Sequence, residues 1–292
     1  MSAGPDDGGR RLDRVLRKSL PNLPLPAIYR LLRRGRVLVN GGPARGEYRI
    51  RAGDRISLGI APEEAPSKAA ALRPPDMRGL NIVLETADLL FCGKPAGLAV
   101  HGPASLDTLV QAYLAPAQSH SLSFKSGPLH RLDQGTSGLI VFSKTLTGAR
   151  VFSALIRERR VIKRYAALVE GRVTGPAVWE DRLGRDRSRR ITGPGDKSAL
   201  TRIRPLAAGP SYSLILAEIH TGLTHQIRAQ AAIHGHPLAG DRKYGGGLYP
   251  GGFLLHAWSQ EFPLDAGLPL PRLVSAPFPA GFERRIRELF GA

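Results

Sequence analysis

The sequence is poor in the residues that most chemistries need. It holds a single cysteine, Cys92, inside the apolar run Leu89-Leu90-Phe91-Cys92. One cysteine builds neither a disulfide framework nor a thiolate metal site, and this one reads as a core residue. No apolar stretch reaches the length needed to cross a bilayer. No apolar leader stands at the N-terminus, so a reducing, cytoplasmic setting is expected. No glycine-rich loop precedes a Lys-Ser/Thr pair, which argues against an NTPase, and the strand-turn-helix dinucleotide fingerprint is also missing. His234 and His236 are two apart, His220 and His225 five apart, and neither spacing fits a helical zinc pair. Ser137 near His130 has the residue types for Ser-His-Asp chemistry, yet the Gly-x-Ser-x-Gly elbow is absent. A reaction that needs neither metal nor cofactor fits this inventory best.

What the chain has in excess is positive charge. Its 292 residues carry a net charge of +18. Of its 42 basic residues 34 are arginine, the side chain suited to bidentate phosphate contacts and to stacking on bases. A balance this basic favours a polyanionic partner. Hydrophobic residues make up 42% of the chain, enough for one large or two unequal domains with a sizeable core.

Along the chain, residues 1–9 are Gly- and Asp-rich and read as a flexible N-terminus. From Arg10, Leu12, Val15, Leu16 and Leu20 recur at helix spacing, with Arg11, Arg14, Arg17 and Lys18 on the other face. A second helix begins with Pro26 in its first turn. It buries Ile28, Leu31 and Leu32, exposes Arg30, Arg33 and Arg34, and stops at Gly35. Arg36 to Gly41 is a strand ending in an Asn-Gly turn, and Arg55 to Leu58 is a further short strand. The first 60 residues hold 13 basic against 5 acidic residues, a compact phosphate-binding surface. Residues 61–78, rich in Pro, Ala and charge, read as a linker.

A second domain is expected over 79–292. Ile82 to Glu85, Leu89 to Cys92, Leu139 to Phe142, Tyr165 to Gly171 and Tyr212 to Ile219 read as strands. Leu106 to Ala115, Gly148 to Ile156, a segment after Ile227 and Ala280 to Phe290 read as helices. Residues 182–197, Arg-, Gly- and Asp-rich, read as a mobile surface loop that suits a phosphate backbone. Periodicity alone shows an α+β pattern.

The stretch His130-Arg131-Leu132-Asp133-Gln134-Gly135-Thr136-Ser137-Gly138 feeds the apolar run Leu139 to Phe142. A charged loop ahead of a buried strand holds a reactive group at a cleft mouth. By itself Asp133 could be an ordinary turn residue. The stretch resembles the signature of RluA-type pseudouridine synthases, in which the Asp is the catalytic residue. Further blocks agree in order: Lys94-Pro95-Ala96-Gly97, Val100-His101-Gly102, Lys163-Arg164-Tyr165, Thr224-His225-Gln226-Ile227-Arg228, and His236-Pro237-Leu238 with Gly240-Asp241. The Val-His-Gly block and the N-terminal module are most similar to the RluC and RluD branches. The module itself resembles the S-four RNA-binding module.

The resemblance implies a mixed, mostly antiparallel sheet in the catalytic domain and a small αα-β RNA-binding domain over 10–60. It implies isomerisation of uridine to pseudouridine in RNA, large-subunit (23S) ribosomal RNA first and transfer RNA as the alternative, with no cofactor and no metal. Asp133 matches the catalytic carboxylate, either as nucleophile on the anomeric carbon or as base on a sugar proton. Tyr165 matches the aromatic against the target base, and Arg228 the cation paired with the carboxylate. Arg131 matches the residue that wedges into the RNA where the base has left. Arg14, Arg30, Arg33, Arg34, Lys94 and His130 join it as RNA-facing residues; His130 is also expected to hold its loop. Leu223 and Gln230 depart from the family pattern, which has Arg and His there. A monomer is expected. The rivals are a non-catalytic RNA-binding or ribosome-assembly factor and a hydrolase built on Ser137, His130 and Asp133.

Overall fold

The computed structural model describes residues 1–59, 79–115, 121–186 and 191–291, so the expected linker at 61–78 lies outside the described residues. Two helices come first, α1 (Leu12–Ser19) and α2 (Leu25–Arg33). Leu12, Val15, Leu16 and Ile28 are buried between them, while Arg14, Arg17, Lys18, Arg30 and Arg33 stay exposed. Strand β1 (Val37–Val39) turns at Asn40 and Gly41, both at positive φ, into β2 (Gly42–Pro43). Strand β3 (Ile56–Leu58) pairs with the other edge of β1.

The N-terminal nine residues depart from expectation. They are folded, because polar partners hold them at both ends. Ala3 N–H donates to the Asp54 carbonyl at 2.9 Å, and Pro5–Asp7 forms one 3-10 turn. Asp7 is fully buried; it accepts from Ser121 and Ser123 hydroxyls at 3.0 and 2.6 Å and from Leu122 N–H at 2.8 Å. Four hydrogen bonds, counting that from Gly4 N–H, hold its pKa below the usual carboxylate value although burial pushes the other way. A buried carboxylate is tolerated only with partners of this kind. Asp7 thereby fastens the N-terminal unit to residues 121–123.

The remaining strands form one large sheet. They are β4 (Asn81–Glu85), β5 (Leu89–Lys94), β6 (Gly127–Pro128), β7 (Ser137–Ser143), β8 (Ile162–Glu170), β9 (Ala177–Asp186), β10 (Ile191–Pro194), β11 (Lys197–Ala208), β12 (Tyr212–Ile219), β13 (Leu255–Glu261) and β14 (Leu273–Ser275). The order is β10-β9-β11-β12-β8-β13-β7-β5-β4, with β14 on β13 and β6 on β7. Every pairing is antiparallel except β13 with β7. Helices α3 (Leu106–Leu114), α4 (Leu146–Arg157), α5 (Gln226–Ile233) and α6 (Ala280–Phe290) complete the described chain. This is the mixed, mostly antiparallel α+β architecture that the motifs implied.

Strand β7 is buried along its whole length. Its alternation sends Ile140 and Phe142 to one core, with Leu90, Cys92 and Tyr165, and Leu139 and Val141 to the other, with Phe91, Phe152 and Phe262. Each such side chain contributes about 1.5–3 kcal/mol by leaving water. Burial also pushes the Cys92 thiol up to about 12, which keeps it inert. At Gly138 (φ 113°) a Cβ would lie 2.3 Å from the Ala257 carbonyl oxygen, so only glycine lets β7 and β13 meet.

Residues 182–197 are not a loop where they are described. Residues 182–186 end β9, 191–194 form β10, and β11 starts at Lys197. In this hairpin Leu183 is buried in a small cluster with Ala199 and Ala229, and buried Thr192 is tied to the Tyr244 hydroxyl and the Thr224 carbonyl. Gly184 and Gly193 pair across it, and glycine at these sites disguised the strands as loop. Residues 187–190, part of the same expectation, lie outside the described residues.

Candidate active site

Asp133 leaves the loop just before β7. Its carbonyl accepts from Thr136 N–H at 3.0 Å, closing a turn that lifts the carboxylate off the sheet. Leu132 is buried beneath the turn. From the other side, Gly97 N–H and the Lys94 ammonium donate to the Gln134 carbonyl at 2.8 and 3.0 Å. Lys94 also donates to the Pro95 and Leu98 carbonyls, at 2.9 and 2.8 Å. It is 1% exposed, and burial lowers its pKa to about 8. Lys94 is therefore not an RNA contact: all three donors are spent on carbonyls, and it props the turn that carries Asp133.

His130 needs the same correction. Its Nε2 accepts from Val141 N–H at 3.1 Å, and Gln260 Nε2 sits 3.0 Å away. The ring stacks on Phe152 with centroids 6.1 Å apart, and desolvation pushes its pKa to about 3. A neutral imidazole committed to backbone holds the loop on β7 and has nothing left for RNA. Ser137 pairs with neither His130 nor Asp133: its Oγ lies 2.9 Å from Nδ1 of buried His256. The hydrolase arrangement is not assembled.

Arg228 sits in the first turns of α5, 7% exposed. Its Nε and Nη2 donate to Asp241 at 2.6 and 2.7 Å, a bidentate fork, and its Nη1 donates to Asp133 Oδ2 at 3.1 Å. The guanidinium lies between two rings, 4.9 Å from the Tyr244 centroid and 4.4 Å from Phe253, positions that favour a cation. Although burial opposes it, the two carboxylates raise the Arg228 pKa. A permanent cation thus sits against one carboxylate oxygen of Asp133.

Around the carboxylate the cleft is lined by Arg131, Thr136, Tyr165, Leu223, His225 and Leu255, and it encloses about 70 Å³. Tyr165 is 9% exposed; burial first, and the Asp133 charge second, raise its pKa, so it stays a phenol at neutral pH. Arg131 is exposed at the rim. A much larger hollow of 620 Å³ lies beside Arg202, Arg204 and Trp258, but Asp133 does not line it. Chemistry, not size, marks the site.

Sequence reasoning missed four contributors. Asp241 appeared only as a motif letter, and Tyr244 and Phe253 not as site residues at all. Thr136 is 2% exposed, and its Oγ1 has no hydrogen-bond partner among the described residues. Gln230, the departure from pattern, is fully buried and takes on structure: it bonds the Trp179 carbonyl at 2.9 Å, Asp181 at 2.6 Å and Thr201 at 2.6 Å. Leu223 packs in a cluster with Leu183, Ala229 and Tyr244. Arg14, Arg30, Arg33 and Arg34 stay on the exposed faces of the N-terminal unit. Among the described residues no three His, Cys, Asp or Glu side chains form a metal cluster, and no helix is long and apolar enough to cross a membrane.

Residues 88–232 match the model for the RNA pseudouridylate synthase family, and residues 10–56 match the S4 domain. Ribosomal large subunit pseudouridine synthase D of Neisseria meningitidis serogroup A is 35% identical over 250 residues, covering 84% of this chain and 66% of that protein. The chain thus spans just under two thirds of that relative's length. Ribosomal large subunit pseudouridine synthase C of Vibrio cholerae serotype O1 is 34% identical over 255 residues, 82% of this chain and 78% of that protein. The fold is shared with human RNA pseudouridylate synthase domain containing 4, at a TM-score of 0.60 and 21% identity over 72% of this chain and 92% of that one. With its motif blocks gathered about Asp133, this chain belongs to the RNA pseudouridylate synthase family and carries an S4 domain ahead of the catalytic fold.

Proposed function

We propose that the chain is an RNA pseudouridine synthase that isomerises uridine in structured RNA, with large-subunit ribosomal RNA as its substrate. One observation carries this reading: a carboxylate paired with a buried, doubly anchored guanidinium, in a cleft shared with a buried phenol and an exposed arginine. The names of its relatives, ribosomal large subunit synthases C and D, support the choice of RNA.

The reaction breaks the bond between uracil nitrogen and the ribose and rejoins the sugar to carbon 5 of the ring. The target nucleotide leaves its stack first. Asp133, held by Arg228, faces the ribose as nucleophile or as base. Tyr165 packs on the freed uracil and remains a proton donor. Arg131 stacks in the gap the base leaves. Arg14, Arg30, Arg33 and Arg34 hold phosphates on the module over 10–60, and the catalytic domain spans 79–292. A monomer is proposed, and ribosomal RNA as substrate supports a cytoplasmic setting.

The test is Asp133→Asn on uridine labelled with tritium at carbon 5. Tritium release should stop while RNA binding persists; release at the wild-type rate would falsify the assignment. Pseudouridine mapping of total RNA, with and without the chain, then separates ribosomal from transfer RNA.

A further inference from the structure

We infer that Tyr244 and His225 form a tautomer lock on Asp133: the Tyr244 hydroxyl holds His225 Nδ1 as an acceptor, so the imidazole's one N–H sits on Nε2 and faces the carboxylate oxygen that Arg228 leaves free. The inference rests on the reading of Asp133 as the reactive carboxylate. It makes His225 a positioning residue, acting through Asp133.

The geometry runs as a chain of donors. Thr192 N–H donates to the Tyr244 hydroxyl at 2.9 Å. That occupies one acceptor site and leaves the phenolic hydrogen for His225 Nδ1, 2.7 Å away. A neutral imidazole has one donor and one acceptor nitrogen. With Nδ1 accepting, Nε2 carries the hydrogen, and Nε2 lies 3.6 Å from Asp133 Oδ1. The opposite tautomer would set an imidazole lone pair against a carboxylate oxygen. Desolvation is the largest influence on His225 and keeps it neutral, with Arg228 and Lys243 adding to it against the pull of Asp133 and Asp241.

The backbone is committed to this aim. His225 has φ 53° and ψ 24°, a left-handed conformation that a residue with a Cβ adopts only when its surroundings impose it. They do so through buried Gln226. Its Oε1 accepts from Thr221 Oγ1 at 2.8 Å and Leu223 N–H at 3.1 Å, and its Nε2 donates to the Leu200 carbonyl at 3.1 Å and Thr201 Oγ1 at 3.0 Å. Thr192 is itself pinned, donating from Oγ1 to the Thr224 carbonyl at 2.7 Å. At 3.6 Å the last link is longer than a hydrogen bond; such contacts close when the substrate fills the cleft.

The experiment uses the full chain. Long-range proton–nitrogen spectra of protein labelled with 15N-histidine, assigned with His225→Gln, should show His225 neutral and protonated on Nε2 at neutral pH. An Nδ1–H imidazole or an imidazolium there overturns the lock. Tyr244→Phe keeps the ring over Arg228 and removes only the hydroxyl. It should move the spectrum toward mixed tautomers and lower kcat about tenfold or more with KM for RNA little changed, because a misaimed group costs rate rather than binding. His225→Gln, which keeps an N–H donor, should retain far more activity than His225→Leu. Unchanged kcat in Tyr244→Phe, or equal activity in the Gln and Leu variants, also overturns it. The spectrum needs no RNA, so a wild-type chain inactive on every RNA would sink the functional reading while the spectrum still decides the lock.

Discussion

Arg228 gives Asp241 two of its nitrogens and Asp133 the third, so the Asp133 carboxylate is held by a cation that is itself immobilised from behind. Asp241→Asn should therefore reach the reaction from a residue that never meets the RNA. Removing one partner of a buried ion pair leaves the other uncompensated, and a loss of about 3 kcal/mol is expected in urea unfolding. Arg228→Lys keeps the charge but loses the fork; kcat should fall on the order of 10²-fold with binding of RNA retained. Wild-type kcat in either variant would remove the pairing from the mechanism.

Acid should expose His130. Folding takes its pKa from the ordinary 6.5 to about 3 by burial. The unfolded chain then binds the proton over a range where the folded chain refuses it. Stability is full above the unfolded value and falls as pH drops from about 6.5 toward 3, by a few kcal/mol at most. His130→Gln should flatten that limb. Urea midpoints between these limits check it, and parallel slopes for the two proteins would count against the assignment.

Thr136 points the other way. Its buried hydroxyl has no partner among the described residues, and it borders the cleft. Thr136→Val keeps the shape and removes an unsatisfied group, which should raise stability by about 1 kcal/mol or more. The same change should raise KM for RNA if the hydroxyl meets the flipped nucleotide. A variant that melts earlier than wild type would show that the hydroxyl is satisfied in solution.

The N-terminal unit offers a paired test. Deleting residues 1–59 should weaken RNA binding and make its salt dependence shallower, by about one unit of slope for each phosphate no longer held. Asp7→Ala keeps every arginine and breaks the fastening to residues 121–123 together with the local bond from Gly4 N–H. It should destabilise the chain by about 1–3 kcal/mol and leave the salt slope as it was. A slope that falls equally in both would place Asp7 in the RNA interface.

Much of this was legible in the sequence because it is local. Asp133 and the apolar run after it, the apolar stretch of Tyr212 to Ile219 and the periodicity of Ala280 to Phe290 are each local in sequence. What was hidden depends on distance along the chain. Asp7 reads as a frayed-end residue because three of its four partners lie more than a hundred residues on, the Ser123 hydroxyl 116 away. Lys94 reads as an RNA contact because nothing local shows that Gln134 caps its ammonium, 40 residues later. Strand β11 did carry a signal: Ala199, Thr201 and Ile203 are buried in alternation with Arg202 and Arg204. The arginines drew attention away from a period of two.

The close approach of Gly138 to Ala257 bears on the order of assembly. Ser137, at the head of the strand behind the Asp133 turn, is joined to His256 across 119 residues, so this parallel seam with β13 must wait for chain made long after the turn itself. The helices and small sheet of the first 59 residues draw most of their contacts from one another and others from residues 121–123. A nascent chain would therefore own its arginine-rich N-terminal surface well before the turn that carries Asp133 was braced from behind.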